Sequence, residues 1–552
     1  MEKRLLLAIV LSFLVLVLYQ ILFVKKPPPP DQAAQSIQEA EKKPPLEVIP
    51  KTPSPPLPTS KAEEPPEEKP SQPISEEKEE SIIVDTSLFK AIWSNKGGVL
   101  KSWKLKKYKD ENMENLELVS SRSQDINIYP FFLLTDDPSF DDSINRALYS
   151  FSETKLELDQ GKKGELRFQY ADAKGNRVEK VFLFQDGKYT FDVTVNVWKN
   201  GQKIEPALLW GPSLGNPAPE LEKKRFGGGR GAAVYVAKKV HRVDEKKYRP
   251  ETSSFNFATW AAYEDNYFTA LFLTSPQKSR TAFLKIGSEE TPSFSLSIDF
   301  AQKAYLGPKD FDALSEFGHG ATNLIRFGFF GLIAQILLRA IKFINSFIPN
   351  WGFCIIVLTI IIKIIFFPLT YSSTRSMARM QELQPKIKAL RAKYKKAKKD
   401  IAQRRKMNEE MMKLYKEHGI NPAGGCLPML VQIPIFWGFF RLLVVSIDFR
   451  QSPFIFWIKD LSLKDPFYVT PILMGVTQFI SQKMTPTSAD PAQQKMMLIM
   501  PVIMTIFFMN FQSGLVLYWL TNNILQIGQQ YIMNRLMKKK KKESHGRKRR
   551  KK

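Results

Sequence analysis

The sequence predicts a multi-pass α-helical membrane protein with six spans that also carries a large all-β sandwich outside the membrane. Three features of the chain predict this fold class: apolar stretches of membrane-spanning length, strongly basic segments beside them, and a long region of short alternating runs. The chain has 552 residues, more than the roughly 250 to 300 that one hydrophobic core holds, so at least two folding units are expected.

The amino-terminal stretch is apolar and uncharged from residue 5 to residue 24, and two lysines and four prolines follow it. A cleaved signal peptide has a shorter apolar core and a small-residue cleavage site. Residues 1–26 are therefore interpreted as an uncleaved signal-anchor span, with a cleaved signal as the alternative. Residues 27–81 contain 15 prolines and many Glu, Lys and Ser, a composition that cannot bury a core and predicts a disordered tether.

The next region, residues 82–317, consists of short runs that alternate apolar and polar side chains and are separated by Gly and Asn. This alternation is typical of antiparallel strands, and the region is large enough for a sandwich of two sheets. Residues 318–349 are apolar but are interrupted by Arg326, Arg339 and Lys342. They are predicted to form an amphipathic helix in the membrane interface rather than a span.

A single lysine, Lys363, lies within the apolar stretch 351–370. That stretch is long enough to cross a bilayer, and a charge near its centre costs about 2.5 to 3.5 kcal/mol, which favours a polar cavity around Lys363. Thr359 lies four residues earlier and therefore on the same helix face. The alternative is that the long side chain of Lys363 extends to the basic interface.

Four further apolar segments complete a predicted five-span core over residues 350–533. They are 426–447, 467–482, 496–511 and 513–533. Residues 371–425 hold 15 basic and 5 acidic residues, and residues 534–552 hold 12 basic residues and 1 acidic residue. Since basic segments stay in the cytoplasm, both termini are predicted to be cytoplasmic and the sandwich to lie on the other side.

The basic loop, residues 372–419, carries two apolar stripes at three- and four-residue steps. This spacing predicts two amphipathic helices in an antiparallel hairpin. A solvated hairpin that only supplies charge for topology is the alternative.

Motifs for catalysis, metals and cofactors are absent or weak in the sequence. The two cysteines and four histidines lack disulfide or metal-ligand spacing. The segment GPSLG formally matches a nucleophile motif at Ser213, but a nucleophile elbow needs a helix directly after it, and prolines follow here. A turn in the sandwich is the favoured interpretation. The sequence therefore predicts no enzyme, no metal and no cofactor.

Polar residues inside the predicted spans are more informative. They include Gln432, Thr477, Gln478, Thr505, Asn510, Thr521, Asn522, Asn523 and Gln526. Each would cost free energy facing lipid unless it were paired, so several are expected to converge on one hydrated interior surface. Hydrogen bonds that only cross-link helices are the alternative.

Four long segments of the chain carry a family resemblance. They are KIIFFPLTYSSTRSMARMQELQPKI (363–387), EHGINPAGGCLPMLVQIPIFWGFFRLL (417–443), DPFYVTPILMGVTQFISQKMTP (465–486) and residues 490–530, which end in YWLTNNILQIGQQ. GGVLKSWKLKKY, WAAYEDNYFTALF and YLGPKDFDAL are weaker matches in the outer region. With these segments the chain resembles the YidC family of bacterial inner-membrane insertases. The resemblance implies a five-helix insertase core, a periplasmic sandwich, and a hydrophilic groove open to cytoplasm and lipid.

The resemblance also implies which residues line this groove: Lys363, Thr359, Gln432, Tyr518, Trp519 and Asn522. Family members usually carry an arginine where this chain has Lys363. The departure keeps the charge but loses the planar fork that holds a carboxylate through two donors. Acidic groups in the flank of an inserting segment are expected to be drawn to Lys363.

The partners implied by the resemblance are nascent membrane proteins, the Sec translocon, phospholipids and the ribosome, which the hairpin and the tail 534–552 would contact. No DNA partner is expected, and for the tail the alternative is attraction to lipid alone. Two other functions stay open: a solute transporter whose site contains Lys363, and an assembly scaffold that acts through the sandwich. The core spans show no evident inverted repeat, which many transporters carry.

Overall fold

The computed structural model describes residues 73–215, 229–287, 292–394, 400–419, 427–485 and 491–550. The predicted signal anchor and the tether up to residue 72 lie outside the described residues. Ile74 falls inside the predicted tether, yet its backbone exchanges two hydrogen bonds of 3.0 Å with Ala171. Residues 74–81 contain no proline, so the backbone N–H groups needed for such pairing are present there.

The region 81–308 forms twenty strands within the described residues. Their bounds are Ser81–Asp85 (β1), Phe89–Ser94 (β2), Val99–Lys109 (β3), Asn115–Glu117 (β4), Phe132–Leu134 (β5), Ser150–Phe151 (β6), Lys155–Glu157 (β7), Lys163–Ala171 (β8), Arg177–Gln185 (β9), Thr190–Lys199 (β10), Gln202–Ile204 (β11), Ala207–Trp210 (β12), Gly231–Val236 (β13), Lys239–Asp244 (β14), Ser254–Asn256 (β15), Trp260–Glu264 (β16), Phe268–Leu273 (β17), Arg280–Ile286 (β18), Ser293–Asp299 (β19) and Lys303–Pro308 (β20).

The strands form three sheets, whereas the sequence suggested two. One sheet has ten strands in the order β14-β13-β16-β17-β20-β10-β9-β8-β6, with β11 beside β10; the other two have five each, β4-β3-β2-β1-β7 and β15-β18-β19-β12-β5. The buried Phe131 ring lies where all three meet, with ring centroids 5.1 Å from Trp93, 5.2 Å from Phe182 and 6.4 Å from Trp210. The two small sheets therefore pack against the long one around an aromatic core.

Three short helices, Arg122–Ile126 (α1), Pro138–Arg146 (α2) and Phe311–Phe317 (α3), belong to this β-rich region. Helices then follow one another to the end of the described chain. They are Gly331–Asn345 (α4), Trp351–Ile365 (α5), Phe367–Glu382 (α6), Gln384–Lys393 (α7), Ile401–Glu417 (α8), Leu427–Val445 (α9), Val469–Met484 (α10), Pro491–Phe508 (α11) and Ser513–Arg550 (α12).

A fully buried lysine lies in the core of the β-rich region. Lys180 of β9 donates to the backbone carbonyls of Gly97, Gly98 and Phe131, with Nζ–O distances of 2.6, 3.3 and 2.8 Å. Burial lowers the pKa of Lys180 to about 7. The three acceptors satisfy the amine and join β9 to two loops.

An ionic cluster joins the β-rich region to the chain that leads into α4. Glu264 at the end of β16 is fully buried and accepts from Arg242 (2.8 Å), Lys309 (2.8 Å) and Arg326 (2.7 Å). Burial alone would raise the pKa of Glu264, but the three cations outweigh it and lower that pKa to about 2. Arg441 of α9 also donates to the backbone carbonyl of Arg326, so the cluster extends to the helical region.

A second contact fixes α4. Lys342 donates to Asp310 at 2.9 Å and to Asp312 at 2.7 Å, beside α3, and lies 3.6 Å from Asp448. One face of α4 is buried, and the helix packs against α5 and α9. Its opposite face leaves large apolar side chains exposed, among them Leu332, Ile336 and Phe343. The predicted interfacial helix thus exposes large apolar side chains together with Arg339, while Lys342 is paired with Asp310 and Asp312.

The predicted span over residues 351–370 is divided in two. Helix α5 ends at Ile365, and α6 continues at an angle of 60°. Pro368 lies at the start of α6, where it removes a backbone donor and disfavours helical geometry at the preceding residue. Lys363 therefore lies in the last turn of α5.

Among the described residues, no helix taken alone is long and apolar enough to pass as a membrane span, although α5 and α6 pass together as a bent pair. Two shorter apolar helical stretches cover Val431–Val445 and Met497–Phe508. These stretches belong to α9 and α11, which each have an internal proline, Pro434 in α9 and Pro501 in α11. The helical region is confirmed, while the number of spans stays a prediction.

The loop predicted to be a hairpin of two helices contains the carboxyl-terminal part of α6 as well as α7 and α8, so its first predicted helix is divided near Leu383. Met380, Leu383 and Ile387 are buried against Met411, Leu414 and Tyr415. The two helices run antiparallel, since Lys393 pairs with Glu410 at one end and Lys386 contacts His418 at the other.

Candidate functional site

A cavity of about 290 Å³ with both polar and apolar lining side chains lies between the carboxyl-terminal end of α5 and helices α6, α9, α10 and α12. We call it the Lys363 cavity. Its lining side chains are Ile362, Lys363, Phe366, Leu369, Thr370, Ser373, Thr374, Met377, Val431, Gln432, Ile435, Gln478, Ser481, Thr485, Trp519, Asn522, Asn523 and Gln526. The bend between α5 and α6 places Lys363 at the wall of this cavity.

Four of the six residues predicted for the site line the cavity: Lys363, Gln432, Trp519 and Asn522. The indole Nε1 of Trp519 donates to the Gln478 side chain at 3.2 Å. The Gln432 amide donates to the Tyr518 hydroxyl at 2.5 Å. These contacts hold the polar side chains of α9, α10 and α12 around one space.

The other two predicted residues lie behind the wall. Thr359 is buried, and its hydroxyl donates to the Ile355 carbonyl of its own helix at 2.6 Å. Tyr518 is also buried, with its ring stacked on Phe439 at a centroid distance of 4.3 Å. Thr359 was predicted to lie near Lys363 because both residues share one helix face. Its hydroxyl, however, is hydrogen-bonded to the backbone of its own helix. Tyr518 supports the site by holding Gln432.

The residue that contacts Lys363 directly was not among the predicted site residues. The Lys363 ammonium donates to the side-chain oxygen of Gln526 at 2.8 Å. Trp519, Asn522, Asn523 and Gln526 recur at steps of three, one and three residues, so they share one face of α12. That spacing was a usable signal for Gln526, although no local pattern shows which helix faces Lys363.

The end of α5 away from the cavity is packed with apolar side chains. Ile355, Leu358, Phe439, Leu443 and Val516 are all buried at 4% exposure or less. At the first turn of α5, the Asn350 side chain donates to the carbonyl of Phe454 at 3.0 Å. The loop that contains Phe454 reaches the β-rich region, where Gln451 binds the backbone of Lys109. The cavity is thus separated from the β-rich region by an apolar layer.

The electrostatics of the cavity depend on one group. Among the described lining residues, Lys363 carries the one charged side chain, and none is Asp or Glu. Hydroxyls and amides make up the rest of its polar surface. In the described parts of the chain no group of His, Cys, Asp and Glu side chains is arranged to hold a metal ion. The arrangement can therefore attract and solvate an anionic or polar segment.

Ser213, the formal nucleophile match, lies elsewhere. It follows β12 with φ +60° and is buried. Its hydroxyl accepts from the Tyr263 hydroxyl at 3.0 Å, and Tyr263 also contacts Glu245. Ser213 therefore lies in a packed turn of the β-rich region. The sequence had favoured this interpretation over a nucleophile.

Two family models match the chain: "60Kd inner membrane protein" over residues 343–541 and "YidC periplasmic domain" over residues 81–340. The protein named membrane protein insertase YidC of Syntrophus aciditrophicus is 38% identical over 97% of this chain and 100% of its own length. Its namesake in Geobacter metallireducens is 37% identical over 97% of this chain and 98% of its own length.

A solved structure, described as an active YidC insertase crystal structure with the first transmembrane domain resolved, is 19% identical and covers 84% of this chain and 94% of its own, with a TM-score of 0.37. The two family matches meet within α4 and together cover both the β-rich region and most of the helical region. Because these relatives are 37% to 38% identical over nearly the whole length, the insertase function is favoured over the transporter and scaffold alternatives. The chain therefore belongs to the YidC family of membrane protein insertases.

Proposed function

We propose that this insertase works through the Lys363 cavity as a hydrophilic groove in the bacterial inner membrane. The observation that carries the proposal is one cation among amide and hydroxyl side chains, in a described lining without Asp or Glu, that an apolar layer closes toward the β-rich region. The polar flank of a client segment enters from the side of α6 and is solvated by the lining amides and hydroxyls. Acidic groups in that flank are attracted to Lys363.

The apolar part of the client then leaves the groove laterally. Helices α10 and α11 expose large apolar side chains such as Ile472, Phe479, Ile503 and Phe507. A client segment that passes this surface exchanges water for apolar contacts, and burial of its apolar area drives insertion. No covalent step is required, so the protein acts without enzymatic catalysis.

The topology that suits this route has six spans: residues 1–26 followed by five in the core 350–533. Both termini and the hairpin 372–419 are cytoplasmic, the β-rich region is periplasmic, and α4 lies in the interface. The strongly basic loop and tail support this orientation. The hairpin receives the client, and the tail 534–552 contacts the ribosome or anionic phospholipid; the protein works alone or beside the Sec translocon.

The test is insertion of a short single-span client with an acidic outer tail into liposomes that contain the purified full-length protein. Wild type is compared with Lys363→Ala and Lys363→Arg. We expect insertion to require the protein, to fall about tenfold with alanine and to survive with arginine, because one charged hydrogen bond contributes about 1.5 to 3 kcal/mol. Full activity of Lys363→Ala would show that Lys363 is an interfacial anchor.

Deletion of residues 82–317 separates insertion from a scaffold role of the β-rich region. The groove mechanism predicts that the truncated protein still inserts the client. Loss of insertion by a truncated protein that is present in the liposomes in normal amounts would contradict the mechanism.

A further inference from the structure

The partner of Lys363 has a second functional end. Lysine carries only donors, so the Gln526 atom that faces the ammonium at 2.8 Å must be the amide oxygen. The amide nitrogen, Nε2, is bonded to the same carbon and points away from that contact. Within the described residues no acceptor is assigned to it, and Gln526 lines the cavity.

The two side chains therefore present donors beside each other. The Lys363 ammonium retains two protons after its contact with Gln526, and Nε2 of Gln526 offers two more. Both residues are half-buried at the wall of the same cavity. Hence two neighbouring donors, one charged and one neutral, face a space without an acidic side chain in its described lining.

We propose that Lys363 and Gln526 together form a two-donor site for a single client carboxylate. One carboxylate oxygen accepts from the ammonium, and the other accepts from Nε2 of Gln526. Gln526 also positions the ammonium through its oxygen, so one side chain both orients the cation and completes the site. The proposal rests on the groove mechanism above, in which acidic groups of the inserting flank are attracted to Lys363, and adds Gln526 as the residue that orients the ammonium and supplies the second donor.

Loss of either donor has a different consequence. Without Gln526 the ammonium keeps its charge but becomes a single point donor on a flexible stem. An arginine at position 363 presents two parallel donors from one planar group. Arginine should therefore make Gln526 dispensable, whereas a purely structural role of Gln526 would leave the requirement for it unchanged.

The experiment uses the full-length protein in vesicles of zwitterionic lipid and two clients that differ in one flank residue, Asp or Asn. We expect Gln526→Ala to reduce insertion of the Asp client about tenfold and that of the Asn client less than about twofold. Lys363→Arg/Gln526→Ala should restore the Asp client to within about twofold of wild type. Gln202→Ala, an exposed glutamine of β11, is the matched control.

The variants and the two clients distinguish a two-donor site from a structural role of Gln526. Unchanged insertion of the Asp client by Gln526→Ala would overturn the two-donor site, as would a double variant no better than Gln526→Ala. An equal loss for both clients would show that Gln526 is structural, which also overturns the proposal. Failure of the groove mechanism itself appears separately, as an Asp client that Lys363→Ala inserts as well as wild type does.

Discussion

Two lysines, one in each half of the molecule, have opposite environments. Lys180 in the β-rich region is fully buried and is surrounded by three backbone carbonyls. Lys363 in the helical region is half-buried, contacts one side-chain amide and borders a cavity of about 290 Å³. A buried amine whose acceptors are all supplied by the fold has a structural role, whereas a cation that borders an open cavity can bind a partner.

The same contrast holds for the polar groups around them. In the β-rich region the Glu264 cluster pairs one fully buried carboxylate with three cations. In the helical region the polar side chains face the Lys363 cavity. Substitutions in the first region should therefore affect stability, and those in the second should affect insertion.

The largest expected loss of stability comes from Glu264→Gln. Removal of one partner from a buried ionic cluster leaves uncompensated charges, here Arg242, Lys309 and Arg326, and costs about 3 to 5 kcal/mol. The measurement is urea unfolding of the full-length protein in detergent. Glu165→Gln, which breaks an exposed pair with Arg167, is the control and should change the free energy of unfolding by less than about 1 kcal/mol.

Lys180→Met should cost less, about 3 kcal/mol, because three buried carbonyls lose their donor while the apolar stem is conserved. The same unfolding experiment measures it, with the exposed Lys90→Met of β2 as the control. The contrast between the two lysines requires that Lys180→Met insert clients normally at a temperature where it remains folded. A specific insertion defect there would break the contrast.

The pH dependence of stability is the next effect in size. The folded state lowers the pKa of Lys180 from 10.5 to about 7, so the unfolded chain binds more protons between these values. The free energy of unfolding should therefore rise with pH in this window, by about 1.4 kcal/mol per unit, and this contribution is lost as pH falls to about 7. The difference between wild type and Lys180→Met, measured from pH 7 to 9, isolates it; a flat difference would contradict the assignment.

Asn522→Ala is expected to have the smallest effect on stability, within about 0.5 kcal/mol, because the side chain is half-buried at the cavity wall. Insertion of a client with a polar flank should nevertheless fall about threefold, as one neutral hydrogen bond is lost. Parallel unfolding and insertion measurements check both parts. If Asn522→Ala lost stability and kept insertion, the cavity would be a structural feature like the Lys180 core.

Much of this organisation could be predicted from local patterns. Alternation predicted the strand-rich region, and a charge in an apolar stretch identified Lys363 because burial of a charge needs a reason. The bend after Ile365 was not predicted, although Pro368 was a usable local signal for it, because proline disfavours helical geometry at the residue before it. These signals lie within a few residues of the feature that they predict.

What could not be predicted depends on contacts between distant segments. The pairing of β1 with β7 and of β12 with both β5 and β19 divides the strands into three sheets, and period-two alternation does not record partners. The contact between Lys363 and Gln526 joins residues 163 positions apart. Tyr518 was predicted for the groove but lies behind it, because its neighbour on α9, Phe439, covers the ring.

In the groove mechanism Lys363 attracts an opposite charge in the client. The most direct measurement is a charge exchange: wild type and Lys363→Glu are each tested in liposomes with a client that carries Asp in its flank and with the same client carrying Lys instead. We expect Lys363→Glu to insert the Asp client about tenfold less well than wild type and to recover with the Lys client, while wild type shows the reverse preference. Equal insertion of both clients by both proteins would contradict the account.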